Sequence, residues 1–92
     1  MTSRSVVVTN PLGLHARAAA KFVHVATRFV SQIRVTRGAK MMDGKSIMGI
    51  LLLAAARGAT LTISAEGADE ASAVDPLVGF VESGFGEDAW NA

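Results

Sequence analysis

Apolar residues recur along this chain with two different periods, and the switching between them predicts the element order βαββαβα. Ser5 to Thr9 is β-branched and ends at Asn10-Pro11, a turn signal, so it reads as a strand. From Ala16 onward, Ala19, Phe22, Val23, Ala26, Phe29 and Val30 fall at three- and four-residue spacing, the stripe of an amphipathic helix. Gln32 to Arg37 alternates Ile33 and Val35 with polar residues, and Gly38-Ala39 makes a two-residue turn into Lys40 to Asp43, because glycine tolerates positive φ. Ser46 is an N-cap for a second helix, which Gly58 terminates beyond Ala56 and Arg57. Thr60 to Ser64 alternates again, with Leu61 and Ile63 on the covered face. Asp69 caps a last helix striped by Ala71, Val74, Leu77, Val78 and Val81. Pro76 inside it predicts a kink or a restart, since proline removes a hydrogen bond and crowds Ser72. Gly84 to Ala92 keeps no period and is expected to be loosely held, residues 87–92 above all, with Trp90 either docked or floating.

This order builds an α+β fold, one sheet with helices on one face, in a single domain spanning residues 1–92. The pattern alone leaves strand order open, and a ferredoxin-like sheet has nearly the same string of elements. Composition adds exclusions. Half of the 92 residues are apolar and 18% are charged, a balance that folds. The net charge of +1 gives no global pull toward nucleic acid or membrane, so partner selection must come from local clusters. The absence of cysteine removes disulfides, thiolate metal sites and thiol catalysis. No signal peptide is recognisable, and the longest apolar run, Ile50 to Ala56, is far short of the ~20 residues of a membrane span. A soluble cytoplasmic protein is expected.

His15 is the residue whose position carries chemistry. It stands one residue before the first helix, after Gly13, which lets the chain turn sharply, and before Arg17. The first amides of a helix lack internal partners and carry the positive end of its dipole, so an anion attached to His15 would be stabilised there. That positive end also favours a neutral, nucleophilic imidazole, and Arg17 can donate to phosphate oxygens in a planar fork. A histidine that only caps its helix is the plainer reading, but the surrounding residues favour a phosphoryl acceptor.

Three segments resemble the HPr family, the histidine-containing phosphocarriers of the bacterial phosphotransferase system. NPLGLHAR resembles the family's phosphohistidine site, DGKSIMG its regulatory-serine segment, and RGATLTISAEGADE the strand and helix start that follow, within a likeness covering Val6 to Gly86. The resemblance implies an open-faced β-sandwich with a four-stranded antiparallel sheet and three helices on one face. It implies that His15 accepts a phosphoryl group from phospho-enzyme I and passes it to enzyme IIA components, serving sugar uptake or regulation. It implies a carrier without turnover of its own, with no cofactor and no metal. One departure lies inside the motif: the family usually has proline where this chain has Ala18, and alanine propagates the helix better while stiffening its start less.

A small domain buries only one side of helix two. Periodicity places Ile50, Leu53 and Ala54 inside and leaves Met48, Leu51 and Leu52 outside, with Ile47 at the border, an exposed apolar patch of the kind that marks an interaction site; the resemblance implies that enzyme I and enzyme IIA components dock there. Arg17, Lys21, His24 and Arg28 form a basic stripe on helix one. Of these Arg17 and His24, together with Lys45, are the candidates to steer an acidic partner. Ser46 would, by the resemblance, also be the target of an HPr kinase/phosphorylase, its phosphate opposing enzyme I docking. A monomer is expected of a transient carrier. A ferredoxin-like RNA or metal module fits poorly, since the two histidines lack cysteine partners and the strands lack aromatics for stacking bases. A hydrolase or transferase using His15 as general base lacks triad partners and a P-loop.

Overall fold

Strands and helices alternate as the periodicities require, in a computed structural model that describes residues 1–86. The elements are β1 Thr2–Val7, α1 Ala16–Ala26, β2 Gln32–Arg37, β3 Lys40–Asp43, α2 Ile47–Leu52, β4 Thr60–Glu66 and α3 Glu70–Glu82. The four strands form one sheet of order β1-β4-β2-β3, every neighbouring pair antiparallel. It is β4, not β3, that lies between β1 and β2, which separates this fold from the ferredoxin-like alternative. The hairpin turn falls on Gly38 and Ala39 as expected, with Arg37 opposite Lys40 and Gly38 at φ +59°.

Register explains the core. Val6 faces Leu61, Val35 faces Ile63 and Ile33 faces Ala65, and all six are buried beneath the helices. The opposite sheet face carries the polar alternates, where the Ser5 and Thr62 hydroxyls meet at 3.4 Å. Ala18, Ala19, Phe22 and Ala26 of α1 and Ala73, Val74, Leu77, Val78 and Val81 of α3 close the core. Each large aliphatic side chain buried here contributes roughly 1.5–3 kcal/mol.

Several boundaries differ from the periodicity. β1 starts at Thr2 and ends at Val7, because pairing with β4 begins at Ala65 opposite Thr2. α1 stops at Ala26, short of Phe29 and Val30, and Val30 is 77% exposed. The Thr27 hydroxyl donates back to His24 O, and the Asp69 carboxylate draws the Val30 and Ser31 amides away from the helical path. Asp69 therefore occupies the N-cap position of α3 without capping it by its side chain. Its carboxylate also accepts the Ser31 hydroxyl. α2 ends at Leu52 and not before Gly58. Ala54 turns to φ +50° and stays exposed, so it leaves the inner side where periodicity put it. Ala71 is exposed, and Ala73 takes its place in the buried stripe of α3. α3 runs as one helix through Pro76, whose ring is exposed while buried residues on both sides hold the two halves to the sheet. Gly84 and Phe85 are buried, Phe85 meeting Phe80 edge to face at 5.9 Å, so the chain to Gly86 is held more firmly than expected. Trp90 and the segment 87–92 lie outside the described residues.

Candidate functional site

The loop before α1 is pinned on both sides of the point where it must turn. The Asn10 side-chain amide donates to Gly13 O at 2.8 Å, and Gly13 N–H donates to Asn10 O at 3.1 Å. Leu14 is buried, and its N–H donates to Ala55 O at 2.8 Å. Gly13 sits at φ +65° so close to the chain leaving α2 that a Cβ there would be 2.6 Å from Ala55 O. Glycine is required at this position on both counts.

His15 follows in extended conformation, φ −92° and ψ −179°, as the N-cap of α1. Its Nδ1 accepts from Arg17 N–H at 3.3 Å, and its carbonyl takes the Ala19 N–H at 2.8 Å. A neutral imidazole that accepts at Nδ1 carries its proton on Nε2. The lone-pair nitrogen is thus the one held at the helix terminus. No acidic residue stands in the first turn of α1 itself, and the positive end of a helix attracts an anion. Arg17 is exposed beside it, and His15 is half-buried.

Ser46 occupies the equivalent place in α2, its Oγ accepting from Gly49 N–H at 3.1 Å. The preceding turn is tied down by Gly44 N–H to Ile33 O at 2.7 Å and by Asp43 Oδ1 accepting Lys45 N–H at 2.9 Å. Two cations from the β2–β3 hairpin reach the far end of this short helix: Arg37 donates to Leu53 O at 3.1 Å and Lys40 to Leu52 O at 3.4 Å. They complement the negative helix end, a role that sequence reasoning missed because only the fold brings hairpin and helix together.

The docking candidates separate into three groups. Ile47, Met48 and Leu52 are exposed, Met48 at 68%, while Ile50 and Leu53 are buried as periodicity required. Leu51 departs from its outward assignment, since it is half-buried against the core. Lys45 is half-buried, and its ammonium donates to Phe29 O at 2.6 Å, bracing the α1–β2 loop. His24 is exposed on α1 and, with Ala20, Lys21, Val25, Arg28 and Phe80, lines an open groove of about 370 Å³ between α1 and α3. It lies about 13 Å along the axis from His15 by the 1.5 Å helical rise, so the two histidines do not converge. Leu12 was missed: it is 70% exposed on the loop that carries His15. The available signal was an apolar residue between Pro11 and Gly13, where no periodic element could bury it.

Among the described residues, no group of three or more His, Cys, Asp or Glu side chains is placed to hold a metal ion. No described helix is long and apolar enough to cross a membrane.

Comparison with known proteins agrees with this geometry. Residues 2–83 match the family described as PTS HPr component phosphorylation site. The chain is 45% identical over 87 residues to the phosphocarrier protein HPr of Cupriavidus necator, covering 95% of this chain and 98% of that one. A crystal structure of HPr from Thermoanaerobacter tengcongensis superposes with a TM-score of 0.89 at 45% identity, covering 94% of this chain and 97% of the other. A second structure from that organism, described as an HPr dimer, covers 94% of this chain and 99% of its own at 45% identity, with a TM-score of 0.74.

Proposed function

Because the chain belongs to the HPr family of phosphocarriers, components of the phosphotransferase system and not catalysts in their own right, we propose that His15 is the residue that carries the phosphoryl group, taking it from phospho-enzyme I in the cytoplasm and passing it to enzyme IIA components. The observation that carries this reading is the Arg17 N–H to His15 Nδ1 hydrogen bond, which holds a lone-pair nitrogen at the N-terminus of α1. In the transfer, the Nδ1 lone pair forms the new bond to phosphorus as the bond from phosphorus to the donor enzyme breaks, while the ring proton stays on Nε2. The phosphoryl oxygens then face the first amides of α1, with the Arg17 guanidinium beside them. Onward transfer is the same displacement in reverse, with the acceptor's nucleophile replacing Nδ1.

Exposed Ile47, Met48 and Leu52, together with the accessible edge of Leu51, form the apolar part of the docking surface in this proposal. Arg17 supplies positive charge that draws an acidic partner, and exposed His24 offers it a polar contact. Lys45 adds charge at the start of α2 while remaining braced to Phe29 O. Ser46 is the regulatory position: a phosphate there adds about two negative charges beside Ile47 and Met48 and repels enzyme I. A monomer serves stepwise transfer best, since the surface must separate after each step; size-exclusion chromatography compares this with the dimeric relative.

Incubation of the purified chain with enzyme I, phosphoenolpyruvate and magnesium tests the central reading. The expected product is an acid-labile, base-stable phosphate that is absent in His15→Ala; unchanged labelling of His15→Ala overturns it. For Ser46, ATP with an HPr kinase should label the parent chain and not Ser46→Ala.

A further inference from the structure

The chain has no cysteine, so its oxidisable sulfur atoms are the thioethers of Met1, Met41, Met42 and Met48. The fold gives the four very different surroundings. Met42 stands opposite Val35 on the covered sheet face, half-buried against the core and packed close to Gly49 of α2. Met41 is 59% exposed on the open sheet face, in one row with Thr36 and Thr62. Met1 is 73% exposed beside β1, the edge strand farthest from β3, where its amine pairs with Glu70. Met48 is 68% exposed on α2, between exposed Ile47 and exposed Leu52, the latter one turn further along the same helix face. Of the three open thioethers, Met48 is therefore the one set within the apolar patch of α2.

Thioether oxidation follows exposure, and its product is polar where the parent was apolar. We propose that Met48 is a reversible oxidation site at which a peroxide closes the α2 patch to partners; this rests on that patch being the docking surface of the carrier. The sulfur lone pair takes one oxygen of hydrogen peroxide, the S–O bond forming as the O–O bond breaks. Sulfur gives up two electrons to the peroxide, and the departing hydroxide takes the proton of the transferred hydroxyl and leaves as water. A reductase carrying a dithiol reverses the step: the sulfoxide oxygen leaves as water while the dithiol becomes a disulfide. The sulfoxide oxygen is a strong acceptor fixed among apolar side chains, so a partner that buries Ile47 and Leu52 must strip its water without replacing the hydrogen bond. Nothing in the core is disturbed, because Met48 itself lies outside it.

Hydrogen peroxide is the probe. The purified chain is treated, cleared of peroxide with catalase, and mapped by peptide mass spectrometry for the oxygen added at each methionine. Met48 is expected to oxidise ahead of Met42. Chain oxidised at Met48 should show a Michaelis constant in the enzyme I reaction raised about tenfold, with kcat and melting temperature unchanged. Methionine sulfoxide reductase with dithiothreitol should restore the original constant. Each variant is compared with its own untreated form: Met48→Leu, which keeps the apolar volume without the sulfur, should lose nothing on treatment, and Met41→Leu should lose as much as the parent chain. Slower oxidation at Met48 than at Met42, an unmoved Michaelis constant in chain oxidised at Met48, an equal loss in treated Met48→Leu, or protection by Met41→Leu overturns the proposal. So does a loss that the reductase fails to reverse, or one that falls on kcat or on melting. Untreated chain that takes no phosphate on His15 overturns the carrier reading, and this inference with it, before peroxide is added, so the two failures are distinguishable.

Discussion

Helices α1 and α2 both begin at a side chain that caps its own helix, His15 Nδ1 accepting from Arg17 N–H and Ser46 Oγ from Gly49 N–H. Beyond that first turn they are built differently. α1 has 11 residues, four of them buried, and the loop before it is fastened to Ala55. α2 has six residues and only Ile50 buried within them, far too short to be helical alone. It is held by Ser46 at one end and by Arg37 and Lys40 at the other. The proposed acceptor His15 therefore stands at the start of an element whose position is dictated by the core, which suits in-line transfer. The apolar side chains proposed for docking stand on one with little internal stability, where adjusting to different partners costs little. The caps also differ in fate under the proposed function: phosphorylation of His15 would consume the Nδ1 lone pair, whereas the Ser46 cap would persist.

The contrast can be broken most severely at Gly13. Gly13→Ala forces a Cβ to 2.6 Å from Ala55 O at a positive φ. It should cost about 3 kcal/mol or more in urea unfolding and slow phosphoryl uptake, because the loop can no longer rest on Ala55. Met48→Ala should do the reverse. Its side chain is 68% exposed, so melting should be unchanged while the Michaelis constant for this chain in the enzyme I reaction rises by about tenfold. Ser46→Ala should lower stability by about 1 kcal/mol through loss of the cap and leave His15 phosphorylation intact.

A fourth test concerns the far end of α1. The Ser31 hydroxyl, with the Val30 and Ser31 amides, holds the Asp69 carboxyl below its ordinary value of 3.8. The Met1 amine and the Thr2 hydroxyl hold Glu70 below 4.5. A depressed folded value means that these groups stabilise the fold fully above their ordinary values and lose that contribution as pH falls through the lower folded ones. Melting temperature should thus be flat from about pH 7 to about 5 and fall below about pH 4. Asp69→Asn should flatten that acid limb, and an unchanged limb would remove Asp69 from the account. The smallest effect is expected at Ala54, an exposed residue at φ +50° where α2 ends. Ala54→Gly should relieve left-handed strain and raise stability by up to about 1 kcal/mol in thermal unfolding, the gain being offset in part by unfolded-state entropy.

Much of this was legible in the chain itself. The hairpin at Gly38-Ala39, the covered faces of β2 and β4, the caps at His15 and Ser46 and the burial of Ile50 and Leu53 follow from local periodicity and local hydrogen bonding, which a sequence carries whatever surrounds it. The order β1-β4-β2-β3, the early ends of α1 and α2, the diversion of Asp69 to the α1–β2 loop and of Lys45 to Phe29 O, and the burial of Phe85 were decided only by tertiary structure. The physical reason is competition. Each concerns a backbone amide, a carbonyl or a side chain with more than one possible partner, and the partner that won lies far away along the chain. Asp69 could have capped its own helix, yet the amides of Val30 and Ser31 offered it three donors together with the Ser31 hydroxyl. Ala55 could have extended α2, yet its carbonyl serves Leu14, the residue that sets His15 in place.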